Sequence, residues 1–259
     1  MAGLNDFYDP VSYESASGYA PRVDGVYAAQ LADLTADARL MELGCGIGNV
    51  LLPFARRGVQ VIGVDRSEAM LDRFRQLADA EGLEVTARVR CLRHELPGLP
   101  DVGTMDAVIL PNNLIAHILD DDDLDQLWSN IAAVLKPGGR VMLDVERFDV
   151  RHIGTAAGPT ANTYRTHGFS DYPGYGAMRV DEQTKYDTRS GILTCTFRYE
   201  VQGSSGEVER AWYRVLRMYP RRLREVSLSL IAAGFRLGMI ADDIFPAGMD
   251  HIFVQAYRD

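Results

Sequence analysis

Leu40-Met-Glu-Leu-Gly-Cys-Gly-Ile-Gly-Asn49 is the stretch that decides the fold of this chain. An apolar run leads into it, glycines follow at alternate positions, and an amphipathic segment continues from Asn49 to Arg57. This pattern predicts a strand, a tight turn and the start of a helix. Glycines tolerate positive φ, and the first amides of a helix carry unpaired N–H groups. The stretch therefore predicts a binding site for a nucleotide-like cofactor that carries a carboxylate or phosphate.

The spacing of the glycines narrows the cofactor class. The dinucleotide fingerprint G-x-G-x-x-G would need a glycine where Asn49 stands, which argues against NAD and against an oxidoreductase. The pattern present is E-x-G-x-G-x-G, from Glu42 to Gly48. It resembles motif I of class I S-adenosylmethionine-dependent methyltransferases, in which the acidic residue helps to hold the methionine end of the cofactor. A purely structural strand-to-helix turn is the alternative interpretation.

A carboxylate follows at the expected distance. The apolar run 59–64 predicts a buried parallel strand that ends at Asp65. An acidic residue at the end of the second strand, about 20 positions after the glycines, accepts hydrogen bonds from ribose hydroxyls. Such an aspartate often serves only as a helix cap, but Ser67 is expected to cap the helix 67–80 and to leave Asp65 free.

The remaining strands of the core are predicted at 85–91, 105–110 and 140–145, with a turn at Lys136-Pro-Gly-Gly139 before the last of them. A Leu-Lys-Pro-Gly-Gly turn in front of a hydrophobic strand is a second feature shared with the same methyltransferases. With right-handed crossovers, the resemblance implies an α/β fold with a doubly wound, seven-stranded Rossmann-like sheet and an antiparallel β insertion after the fifth strand. The cofactor would then bind at the switch point of the sheet.

One position departs from the family. Leu92 stands where these methyltransferases commonly carry an aspartate that contacts the adenine amino group, so backbone amides near Arg93, or the side chain of His94 or Glu95, would have to serve. The resemblance implies S-adenosyl-L-methionine as the cofactor. The residues predicted to bind it are Glu42, Gly44, Gly46, Gly48, Asp65, Arg66, Leu92, Arg93, Leu110 and Tyr19.

The segments around this core are predicted to have separate roles. Residues 1–37 form a tyrosine-rich helical flap, 38–146 the cofactor-binding core, 147–218 an antiparallel insertion that walls the acceptor pocket, and 219–259 a helix and two strands that complete the core. The strict alternation of apolar and polar residues in 192–201 predicts a half-covered antiparallel strand. A three-stranded meander is expected from Met178 to Met218.

A histidine follows the fourth strand, in Asn113-Leu-Ile-Ala-His117. This segment, the N-terminal Tyr8-Asp9 and the insertion resemble small-molecule N-methyltransferases, notably sugar-amine N,N-dimethyltransferases and, more distantly, glycine N-methyltransferase. The resemblance implies that His117 acts as base or orienter, that Tyr13 and Tyr19 enter the pocket, and that the insertion can form a homodimer. A buried structural role for His117 is the alternative.

Composition limits the partners. The net charge of −9 and pI of about 5.1 disfavour nucleic acid and anionic membranes. The three separated cysteines predict neither a disulfide scaffold nor a zinc site, and no signal or membrane segment is visible, so a cytoplasmic protein is expected. The acidic run Asp120 to Asp123 is interpreted as a solvated helix start, and no metal is predicted.

The predicted function is methyl transfer to a small polar acceptor, with an amine nitrogen favoured. The alternatives are O-methylation with His117 assisted by Asp144 or Glu146, a cofactor-binding protein on the same scaffold that does not methylate, and a protein or RNA acceptor.

Overall fold

The computed structural model describes residues 10, 13–14, 23–172, 176–203 and 205–259; the predictions for Tyr8 and Tyr19 lie outside this part of the chain. Backbone contacts divide the chain into two compact units. The first comprises residues 21–147 and 221–259, and the second comprises residues 148–220 with the described residues of 1–20.

The first unit alternates helices and strands. Its helices are α1 Asp24–Gln30, α2 Leu52–Arg56, α3 Glu68–Ala80, α4 Leu83–Thr86, α5 Asp121–Val134 and a C-terminal helix, Leu223–Ala232. Its strands are β1 Arg39–Leu43, β2 Gln60–Asp65, β3 Val89–Arg93, β4 Met105–Leu110, β5 Leu135–Glu146 and two C-terminal strands, Phe235–Ala241 and His251–Arg258.

The second unit follows β5 in the chain. It contains α6 Val150–Ala157 and the strands β6 Arg165–Tyr172, β7 Gly176–Asp187, β8 Ile192–Gln202 and β9 Val208–Met218. The C-terminal elements of the first unit are accordingly α7 (Leu223–Ala232), β10 (Phe235–Ala241) and β11 (His251–Arg258).

A seven-stranded sheet forms the centre of the first unit, in the order β10-β11-β5-β4-β1-β2-β3. Strands β1 to β5 run parallel, and β11 is antiparallel to both β5 and β10. Side chains alternate between the two faces, so Leu40 packs in one buried layer with Phe54 and Phe74, and Met41 packs in the other with Trp128. Because β1 lies between β2 and β4, the chain reverses its direction of winding there, and ligands bind outside the carboxyl ends of strands at such a point.

Two predicted elements differ locally. The third strand was expected from Val85, but residues 83–86 form helix α4, and β3 begins at Val89. The expected turn at Lys136 is instead a bulge at the start of β5: Met105 pairs with Leu135 and Ala107 with Arg140. The Lys136 ammonium lies 2.7 and 2.8 Å from the carboxylate oxygens of Asp106, which fixes this bulge against β4.

The second unit contains a four-stranded antiparallel sheet in the order β6-β7-β8-β9. The three-stranded meander expected from Met178 to Met218 is confirmed as β7, β8 and β9. The additional strand β6 was missed because its sequence is polar, contains a glycine and lacks the clean alternation of β8. The roles predicted for the flap 1–37 and the insertion 147–218 stay predictions.

Candidate active site

The glycine turn joins β1 to α2. Gly44, Gly46 and Gly48 have φ values of 66°, 52° and 79°, a region that L side chains rarely occupy. At Gly48 an added Cβ would also lie 2.2 Å from the ring of the buried Phe74. The helix was expected from Asn49, but residues 49–51 belong to the turn and α2 begins at Leu52.

Asp65 ends β2 beside this turn. One carboxylate oxygen accepts a hydrogen bond from the Gly46 amide at 2.9 Å and the other accepts one from the Ser67 amide at 2.9 Å. The Ser67 hydroxyl caps α3 by accepting from the Met70 amide at 3.4 Å. Asp65 is therefore tied to the glycine turn rather than free. A carboxylate has about four acceptor positions, so both oxygens can still accept ligand hydroxyls.

Glu42 is the buried acidic residue of the turn motif. It is 2% exposed, and its Oε2 has no hydrogen-bond partner among the described residues. Burial, and then the charge of Asp65, raise the pKa of the Glu42 carboxyl well above its usual value. An unpaired buried carboxyl oxygen is costly, so this group fits a ligand that brings a cation or a hydrogen-bond donor to it.

The other predicted cofactor residues take different positions. Leu92 is half-buried in β3, while Arg66 and Arg93 are exposed and adjacent, with the Arg93 guanidinium donating to the Arg66 carbonyl at 3.3 Å. The His94 amide donates to the Asp65 carbonyl at 3.0 Å. Leu110 is fully buried in the core at the end of β4. Whether these residues touch a cofactor stays a prediction.

His117 closes a short 3₁₀ turn, Leu114–His117, directly after β4. Its side chain is half-buried. The two residues before this turn, Asn112 and Asn113, have φ values of 59° and 54°, which asparagine tolerates better than most residues. Tyr13, the described member of the predicted tyrosine pair, is half-buried, and the catalytic roles of His117 and Tyr13 stay predictions.

A buried aspartate fixes this left-handed turn. Asp144 of β5 is fully buried, and its Oδ1 accepts from the Tyr27 hydroxyl at 2.7 Å and from the Asn112 amide at 2.9 Å. Its Oδ2 accepts from the Asn113 amide at 2.8 Å and lies 2.7 Å from Nδ1 of His251. Burial, and then the charge of Asp144 and the hydrogen bond to it, raise the pKa of the Tyr27 phenol well above its usual value.

Sequence reasoning missed most of this cluster. Asp144 was considered only for O-methylation, Tyr27 only as one tyrosine of the predicted flap, and His251 not at all. The signal that could have found His251 was its position in the chain: it begins the last strand, and that strand pairs it with Glu146 at the end of β5.

Across the described residues, no group of three or more His, Cys, Asp or Glu side chains is arranged to hold a metal ion. Nor does any helix in that part of the chain combine the length and apolar character needed to cross a membrane.

Comparison with known proteins agrees with this geometry. Residues 40–139 match the model of a methyltransferase domain family. These residues are a methyltransferase domain. The match spans the glycine turn, Asp65 and the bulge at Lys136, so the family resemblance and the fold class predicted from the sequence are confirmed.

Some similar proteins match this chain over the methyltransferase domain, and others match its whole fold. A carboxy-S-adenosyl-L-methionine synthase from Shewanella sediminis is 30% identical over 135 residues, 50% of this chain and 53% of that protein. The chain spans about half the length of the curated relatives it matches.

Several solved structures resemble the chain over nearly all its length. A methyltransferase from Clostridium acetobutylicum has a TM-score of 0.75 at 14% identity and covers 95% of this chain and 96% of its own. The amino pentose methyltransferase CalS10 from Micromonospora echinaspora has a TM-score of 0.70 at 19% identity and covers 98% and 99%.

Proposed function

We propose that this chain transfers a methyl group from S-adenosylmethionine to a small polar acceptor, with an amine nitrogen as the favoured atom. The observation that carries the proposal is the presence of two carboxylates beside the glycine turn, Glu42 and Asp65. Glu42 has a buried oxygen that finds no hydrogen-bond partner in the described part of the chain, and Asp65 is anchored by the Gly46 amide with acceptor positions left over.

These residues fit the two polar ends of that cofactor. Glu42 would hold the ammonium of its amino-acid end, and the remaining lone pairs of Asp65 would accept from the ribose hydroxyls. When bound, the cofactor supplies a methyl group that its sulfonium has already activated. The protein then has to align the acceptor at about 3 Å in line with the methyl and exclude water.

The preference for an amine has two supports. CalS10, which shares the fold over almost its whole length, is named as an amino pentose methyltransferase. In this chain His117 follows β4, where an imidazole suits an amine acceptor as a base or as the group that orients it. A small-molecule acceptor, without nucleic acid or membrane partners, remains part of the proposal, as do a cytoplasmic location and a homodimer through the insertion.

Binding is tested by calorimetry with S-adenosylmethionine and its demethylated product. Asp65→Ala and Glu42→Gln should each weaken binding by about 10- to 100-fold, because each removes a charge-assisted hydrogen bond of about 1.5–3 kcal/mol. Asp72→Ala is the matched control, since this aspartate is exposed on α3. No binding by the wild-type protein, or equal binding by all variants, would refute the proposal.

The acceptor atom is tested by transfer of a labelled methyl group to panels of amines and alcohols. Label in the amine panel supports the proposal, and label only in alcohols replaces it with O-methylation. His117→Ala should lower turnover more than cofactor affinity. Unchanged turnover at saturating acceptor would remove His117 from the mechanism.

A second candidate function is modification of the cofactor itself. It is favoured by the match to a carboxy-S-adenosyl-L-methionine synthase over half of this chain. Mass spectrometry of the same reactions separates the two, because a methylated acceptor appears in one case and an altered cofactor in the other.

A further inference from the structure

A second imidazole lies at the carboxyl edge of the sheet, separate from His117. His251 is the first residue of β11 and pairs with Glu146, the last residue of β5. Its Nδ1 lies 2.7 Å from Asp144, and among the described residues this carboxylate is the hydrogen-bond partner of the ring. The side chain is 13% exposed, so solvent or a ligand can reach part of it.

The other bonds of Asp144 decide which ring nitrogen can exchange a proton. Oδ1 of Asp144 already accepts from the Tyr27 hydroxyl and the Asn112 amide, and Oδ2 accepts from the Asn113 amide. Each carboxylate oxygen has about two acceptor positions, so one position of Oδ2 is left toward Nδ1 of His251. Asp144 is therefore an acceptor for the Nδ1–H of His251, and this tautomer places the free lone pair of the neutral ring on Nε2.

We propose that Asp144 and His251 form a proton-accepting pair at the β4–β5–β11 edge, in which Nε2 of His251 takes the proton that an ammonium acceptor must lose before it is methylated, and His117 orients the acceptor. In this step an N–H bond of the ammonium breaks, its electron pair stays on the nitrogen, and the proton bonds to Nε2. Asp144 keeps its hydrogen bond to Nδ1 throughout and stabilises the imidazolium that forms. The proposal rests on the proposed function.

The charges that face His251 favour this role. Burial lowers the pKa of the imidazole, but the hydrogen bond and charge of Asp144, followed by the charges of Glu146 and Asp250, raise it, and the net effect is upward. Arg147 pairs with Asp250 at 3.2 Å, so it offsets part of that charge.

Two further groups complete the surroundings of the imidazole. The Phe245 ring, 5.6 Å from the imidazole centroid, covers it without adding charge. The Tyr27 phenol stays protonated and donates to Asp144. The excess of carboxylates would also attract a cationic acceptor to this edge.

The variant His251→Asn removes the proton-accepting nitrogen but keeps a hydrogen-bond donor for Asp144. The asparagine amide can replace Nδ1 as the donor to Asp144, while Nε2 and its titration are lost. Turnover at neutral pH should fall by about 100-fold or more, a typical loss for a missing general base, and the rise of kcat with pH through the histidine range should disappear. The Kd of S-adenosylmethionine should stay within about twofold.

Asp123→Asn, on the exposed surface of α5, is the control and should keep the wild-type pH profile. Wild-type activity with an unchanged pH profile in His251→Asn would overturn the pair while leaving the proposed function intact. Absence of any methyl transfer by the wild-type protein would refute both.

A second readout needs neither cofactor nor variant. Imidazole nitrogen NMR of the free wild-type protein should show Nδ1 of His251 protonated throughout and Nε2 titrating at a pH above the usual histidine value. A neutral ring that carries its proton on Nε2 would overturn the proposal.

Discussion

Replacing Asp144 by asparagine should destabilise the protein strongly although the side chain keeps its shape. Asp144 is fully buried and accepts from Tyr27, Asn112, Asn113 and His251. Whichever way the new amide is oriented, its NH₂ group faces two of these four donors and cannot accept from them.

The magnitude follows from these bonds. A hydrogen bond to a charged acceptor contributes about 1.5–3 kcal/mol, and breaking a buried ion pair costs about 3–5 kcal/mol. Loss of one or two such bonds therefore predicts a fall in the free energy of unfolding of about 3–5 kcal/mol. For a chain of this size the Tm should fall by roughly 10 °C.

Urea and thermal unfolding measure this change. Asp33→Asn is the control, because Asp33 is 66% exposed and pairs with Arg140 near the surface, where such pairs contribute about 1 kcal/mol or less. If Asp144→Asn lost less than about 1 kcal/mol, the view that this carboxylate holds the β4 turn in place would be wrong.

Three other measurements test separate parts of the structure. Gly48→Ala should lower the free energy of unfolding by about 2–4 kcal/mol through positive-φ strain and the clash with Phe74. Gly138→Ala, with φ 73° and open space around it, should lower it by only about 1 kcal/mol. Equal losses for the two variants in urea unfolding would exclude the clash. Because burial raises the pKa of Glu42, cofactor binding through its ionised form should release a proton and weaken as pH falls below that raised pKa. Calorimetry in buffers of different ionisation enthalpy counts this proton, and a count unchanged in Glu42→Gln would contradict the assignment. Because the pKa of His251 is raised in the folded protein, its ionisation should stabilise the fold fully below the unfolded-state pKa of about 6.5, and this stabilisation should be lost as the pH rises through the folded-state pKa. A stability difference between wild type and His251→Asn that stays constant from acidic to alkaline pH would contradict this.

Local patterns were sufficient for the cofactor side of the methyltransferase domain. A strand that ends in alternating glycines, and a second strand that ends in Asp65, specify their geometry over a short stretch, because positive φ and parallel pairing are local requirements. Even there, the hydrogen bond from the Gly46 amide to Asp65 could not be predicted from the sequence, since it forms only once β1 and β2 are paired.

The β4–β5–β11 edge was decided by tertiary structure. Asp144 lies 117 residues from Tyr27 and 107 residues from His251 in the chain, and none of the three stands in a recognisable motif. An aspartate in an apolar strand, a tyrosine at helical spacing and a histidine before a strand are each ordinary when taken singly. They become one buried network because the antiparallel pairing of β11 with β5 places His251 opposite Glu146, and α1 packs its tyrosine against the same strand end. The sequence by itself thus determined the cofactor turn and the presence of the parallel core strands, whereas long-range pairing alone decided which side chains share the buried carboxylate.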